Sequence, residues 1–311
     1  RLGIDHVMWY DEKMVFPDGN AEPAGDDAFM VKTAQKMYHE ISPETGEFID
    51  FMIEHEMMDL QNKPGKASTG YMPSLPSLKA PFVFSCFNHT IFDMQVMTHE
   101  LGHAFAGYMA MRSQPISDYY HESTDIAEIH SMSMEQFAYP YAEWFFGDQA
   151  DKFRFAHLQE ALTFVPFGVA VDEFQHICYA HPEMTPKERT YQWHLLEEKY
   201  MPWRKYENDE FMQRGGYWYH KLHIYLYPFY YINYTLTTMG AMEFKKKYAE
   251  DKAAAWQDYL NLCKSGGSRS YLETLRYANL SVPFEAGSVE RACGYAENIL
   301  LEQLKEQEQK V

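Results

Sequence analysis

Basic clusters, paired cysteines and long apolar runs are scarce in this sequence, and each scarcity removes a class of function. Lysine and arginine total 27 against 45 aspartates and glutamates, a formal net charge of -18. The one run of like cations is Lys245-Lys246-Lys247. A nucleic-acid binder needs a dense basic face, so no nucleic-acid partner is expected. Cys86, Cys178, Cys263 and Cys293 are widely spaced and form no CxxC pair. That usage suits a reducing, cytoplasmic setting better than a disulfide framework. The most apolar stretch, 222–242, is interrupted by His223, Pro228 and Asn233 and makes a poor membrane span, so no membrane partner is expected. No signal peptide opens the chain, and neither does a methionine. The start at Arg1-Leu2-Gly3 reads as the middle of something longer.

What is present is the material of a globular protein: 311 residues, 46% hydrophobic and 23% charged. Apolar residues recur at i, i+3 and i+4 near 25–40, 43–59, 92–111, 122–146, 149–180, 186–200, 248–264 and 286–308. Strand signals are few. The best is Pro81 to Phe87, and a weaker one lies at Thr69 to Met72. The expected fold is mainly α with a small antiparallel β-sheet. No linker-like stretch divides the chain, so residues 1–311 are read as one domain. The charged tail from Glu302 to Lys310 reads as a solvated helix end.

Within the helical stretch 93–111 stands His99-Glu100-Leu101-Gly102-His103. Residues four apart share a helix face, so both imidazoles can reach one cation. Catalytic zinc takes three protein ligands and keeps a position open. Glu100, one residue on from His99, is placed to accept a proton from water that the metal activates. The third ligand must come from another element. Glu128 is the candidate, because it interrupts a small, apolar helical run and a carboxylate there needs a cation or hydrogen bonds. His130, two residues on, points elsewhere on that helix. Glu135 and Asp125 are competing candidates for holding a ligand histidine, and the spacing does not choose between them.

These motifs resemble the M3 family of zinc peptidases, in its oligoendopeptidase F and Pz-peptidase branch. The resemblance rests on His99 to Phe105, then Ala127-Glu128 with Ser131 to Glu135 behind it. It is supported by Ala80 to Phe84 with Phe87-Asn88, by Gly215 to Trp218, by His223 to Tyr225, and by Pro228 to Tyr234. It implies a thermolysin-like zincin of the HExxH gluzincin type, one zinc ion per chain, and oligopeptide substrates cut internally. It also implies that the strand carrying Phe84 offers a free edge to extended substrate backbone. Gly215 and Gly216 would sit in the segment that closes over substrate, or form a plain turn. His223 with Tyr231, Tyr234 and Tyr227 would supply donors to the oxyanion of the transition state. In a single helix those four would share one face, although Pro228 interrupts it. Family members are longer at their start, so a missing N-terminal half or a partner chain is expected to complete this one. The alternatives are a peptidyl-dipeptidase of similar build, which needs a cationic pocket that the sequence does not place, and a zinc-containing peptide-binding fragment without turnover.

Overall fold

The computed structural model describes residues 4–67 and 69–308. Two helices, α1 (Asp27–Ile41) and α2 (Pro43–Glu54), lead into strands β1 (Met58–Gln61), β2 (Ser74–Leu75), β3 (Ala80–Pro81) and β4 (Val83–Phe87). Helices α3 (Phe92–Ser113), α4 (Thr124–Ala138), α5 (Ala142–Phe146), α6 (Ala150–Ala180), α7 (Pro186–Tyr200) and α8 (Glu210–Gln213) follow. The remainder is α9 (Leu222–Leu226), α10 (Ile232–Glu250), α11 (Lys252–Ser265), α12 (Tyr271–Tyr277) and α13 (Ser288–Glu308). The end of the charged tail, residues 309–311, lies outside the described residues. No helix among the described residues is long and apolar enough to cross a membrane. All four cysteines are free.

Local chemistry explains most boundaries. Asp26 caps α1 by accepting from Phe29 N–H, and Ser42 caps α2 with Pro43 in its first turn. The expected helix over 122–146 breaks into α4 and α5 with a short 3-10 turn at Tyr139–Tyr141, where Pro140 removes a helical N–H. Asp251 separates α10 from α11 and caps the latter by accepting from Ala253 and Ala254 N–H. The expected helix over 43–59 stops at Glu54, because Glu56 turns left-handed and Met58–Gln61 is drawn into the sheet. Tertiary pairing there overrides helical periodicity.

The strands form two small two-stranded sheets. Strand β2 pairs antiparallel with β3, and Tyr71 bridges Phe84 antiparallel, as expected for this segment. Strand β1, however, pairs parallel with β4. β4 buries Val83, Ser85 and Phe87 on one face, which is the alternation of a half-buried strand.

The chain divides into two compact units, with boundaries before Ala21, inside α6 and inside α10. One comprises residues 21–155 and 237–311. Its core stacks Phe48, Phe105, Phe137, Phe244 and Tyr259 in edge and face contacts. Helix α3 runs through it with Met94, Met97, Leu101, Ala104, Phe105, Tyr108 and Met111 buried around its circumference. The other unit, residues 1–20 and 156–236, is built on Phe167, Phe174, Trp193 and Trp218.

Candidate metal centre

Helix α3 is started by Asp93, whose carboxylate accepts from Asn88 and His89 N–H at 3.0 and 2.7 Å and so fixes the turn that enters the helix. Two turns on, His99 and His103 project from one face, and α4 packs alongside. The close approach depends on Gly102. A Cβ there would stand 2.7 Å from Ser131 Cα and 3.0 Å from the His130 carbonyl oxygen. Because the helices meet at glycine, Glu128 reaches both histidines. Its Oε2 lies 3.0 Å from His99 Nε2 and 3.3 Å from His103 Nε2.

One donor atom from each of His99, His103 and Glu128 falls within 4.8 Å of the others. Two imidazole nitrogens and one carboxylate oxygen form the donor set that catalytic zinc takes, with a coordination position left for water or substrate. The surroundings favour the same use. His99 Nδ1 is engaged by Glu135 Oε1 at 2.7 Å, which fixes the tautomer and presents Nε2 to the shared point. Ser131 Oγ donates to Glu128 Oε2 at 3.0 Å. Burial opposes charge on His99, but hydrogen bonds to Glu128 and Glu135 outweigh it and hold its pKa well above the ordinary value. Burial likewise works to raise the Glu128 pKa. The bonds from His103 and His99 overcome that and hold the group as a carboxylate, far below the usual range.

Glu100 is 6% exposed, and its Oε2 has no hydrogen-bond partner among the described residues. Desolvation raises its pKa, partly offset by His99 and His103. Such a carboxylate is poised to take and return a proton. Gly70 lies against it: a Cβ at that position would stand 2.6 Å from Glu100 Oε1. The sequence marked Gly70 only as punctuation in a weak strand, because its approach to Glu100 is a tertiary contact.

The other expected residues fall as follows. Glu135, and not Asp125, makes the hydrogen bond to His99; Asp125 lies near Tyr271 instead. His130 is buried with Nδ1 3.2 Å from Glu122. The expectation of a free edge at Phe84 is corrected. Phe84 N–H and C=O both exchange hydrogen bonds of 3.0 Å with Tyr71, and β1 covers the strand's other side, since an exposed edge invites pairing. In the unit of residues 1–20 and 156–236, the chain from His223 to Tyr234 is not one helix, and Pro228 marks the break. Helix α9 ends at Leu226, Pro228 and a left-handed Phe229 break the chain, and α10 begins at Ile232. The rings nevertheless gather. His223 lies 5.1 Å from Tyr231 and 5.9 Å from Tyr234 between centroids, with Tyr227 at 6.3 Å and exposed. Tyr230, at 6.1 Å, joins them. Gly215 adopts a left-handed conformation, and a Cβ there would meet Thr190 O at 2.2 Å, while one on Gly216 would meet the Phe211 ring at 2.4 Å. Close packing therefore requires glycine at both positions.

Comparison with known proteins identifies the family and the fold. The model of peptidase family M3 matches residues 31–293. The chain belongs to that family. Among M3 relatives, it is 24% identical over 240 residues to an oligoendopeptidase F homolog of Borreliella burgdorferi, a match covering 76% of this chain and 40% of that protein. A solved Pz peptidase A, determined with an inhibitor, superposes with a TM-score of 0.91 at 47% identity, covering 97% of this chain and 54% of the other. A Bacillus anthracis protein assigned as an oligoendopeptidase F gives 0.85 at 42% identity, covering 97% and 51%. The fold is therefore the mainly helical, thermolysin-like zincin fold of M3 peptidases. The chain spans about half the length of these solved relatives.

Proposed function

We propose that this chain is the zinc-binding catalytic portion of a metalloendopeptidase that hydrolyses internal bonds of short oligopeptides. The observation that carries the reading is the convergence of His99, His103 and Glu128 beside a buried Glu100 carboxylate. His99 and His103 through Nε2 and Glu128 through Oε2 would hold one zinc ion, with Glu135 fixing the His99 ring. Zinc held there supplies Lewis acidity, polarising a carbonyl and making water a nucleophile near neutral pH.

The remaining chemistry belongs to the protein. Glu100 takes the proton from the attacking water and returns it to the leaving amine nitrogen, so the C–N bond breaks as the new C–O bond is kept. Glycine at position 70 leaves the carboxylate its room, since a Cβ there would stand 2.6 Å from Glu100 Oε1. Negative charge develops on the carbonyl oxygen. We assign its stabilisation to His223 with Tyr231, Tyr234 and Tyr227, whose rings cluster. A binding fragment without turnover has no need of Glu100, and this favours the enzymatic reading.

The test is Glu100→Gln, assayed on an internally quenched peptide alongside elemental analysis. The variant should retain its zinc and lose activity by a factor on the order of 10³ or more, since the ligands survive and the proton acceptor does not. Activity within a few-fold of the parent would remove Glu100 from this role.

A further inference from the structure

Lys221 stands in a cleft of ≈ 540 Å³ within the unit of residues 1–20 and 156–236, walled by Phe167, Tyr217 and Tyr231. Its Nζ lies 5.0 Å from the Phe167 ring centroid and 5.3 Å from that of Tyr231. Among the described residues no acceptor hydrogen-bonds this ammonium and no carboxylate pairs with it. The cleft does contain carboxylates, but each is engaged. Glu160 pairs with Lys13 at 2.5 Å, Glu12 grips Arg204 through two contacts of 2.7 Å, and Asp11 accepts from Met8 N–H at 3.0 Å. The charged groups that act on Lys221 are Lys13 and Arg204, both cations. Burial is the larger influence and, with them, lowers its pKa.

A half-buried ammonium without an anion, facing cations and held by ring faces, lacks its counter-charge. We propose that the Lys221 cleft binds the free C-terminal carboxylate of a peptide, with the preceding apolar or aromatic side chain against Phe167 and Tyr231. The aromatic walls call for an apolar group beside the anion. The overall charge of -18 disfavours polyanions. This inference rests on the reading that peptides are the substrates. It supplies the cationic pocket whose absence from the sequence set terminus recognition aside, because Lys13, Phe167, Arg204, Lys221 and Tyr231 come together only in the fold.

The test measures binding of N-acetyl-Gly-Pro-Phe as the free acid and as the C-terminal amide, by calorimetry on the zinc-loaded chain carrying Glu100→Gln. The acid should bind about tenfold more tightly, as one partly desolvated charge pair provides. Lys221→Met should reduce that ratio to near one, and Lys221→Arg should keep most of it. Any attraction of the carboxylate to zinc persists in Lys221→Met, so the difference isolates the lysine. If the methionine variant does not fold, Lys221→Gln removes the same charge at similar length. Equal affinities for acid and amide, or a ratio unmoved by loss of the lysine, would overturn the proposal. Consumption of the peptide by Glu100→Gln would instead count against the catalytic reading and leave the acid-to-amide ratio to be read separately.

Discussion

Single side chains show how this protein spends charge in its interior. Lys245 is 8% exposed, with Nζ 3.2 Å from the Tyr139 ring centroid and no carboxylate paired with it among the described residues. Burial, with a smaller push from Arg154, lowers its pKa to about 7. The unfolded chain holds that proton up to its ordinary pKa near 10.5. Between pH 7 and 10.5 the unfolded state therefore binds more protons, and this group makes stability rise with pH. Below pH 7 both states are charged and the desolvation cost is fully present. Lys245→Met should accordingly stabilise the fold by about 1–3 kcal/mol at pH 6 and by far less at pH 10, read as two thermal midpoints. Equal gains at both pH values would refute the assignment. Glu135 illustrates the opposite use of a buried charge, since its hydrogen bond to His99 would orient that ring toward a bound zinc. Glu135→Gln should weaken zinc about 10–100-fold in a chelator competition, and unchanged affinity would make the contact incidental.

At the scale of elements, the pairing of α3 with α4 decides whether three donors meet. Gly102→Ala would press a methyl against Ser131 and Met134 and push the helices apart. Overpacking of this kind costs about 1–3 kcal/mol. Here it should also lower zinc affinity by moving Glu128 away from the histidines. A variant with normal stability and normal zinc binding would show that the close approach is not required. This pairing also explains what could be read in advance. His99 and His103 lie four apart on one helix, so their common face follows from local periodicity, and Glu128 stands out as a carboxylate in a small, apolar run. The choice of Glu135 over Asp125, and the place of Gly70 against Glu100, depend on how α3 meets its neighbours. The edge strand misled because a sequence does not reveal that Tyr71 and β1 will take both sides of β4. The break between α9 and α10 falls where Pro228 stands, a residue that does not continue a helix.

Over the whole molecule, legibility followed sequence distance. The mainly helical class was visible from periodicity, whereas the division into two compact units was not, because two of its three boundaries fall inside continuous helices. The Lys221 cleft was invisible for a related reason: its walls and charges come from residues more than two hundred positions apart. The candidate metal residues belong to one unit, and the His223 cluster and the Lys221 cleft belong to the other. The most direct test of the central claim is a zinc titration of the chelator-stripped chain, followed by the hydrolysis rate of an internally quenched peptide. Stripping should abolish cleavage, and zinc should restore it with saturation near one equivalent per chain. Cleavage that persists after the metal is removed, or that zinc fails to restore in a chain that still folds, would contradict the assignment of His99, His103 and Glu128 as the centre of a metallopeptidase.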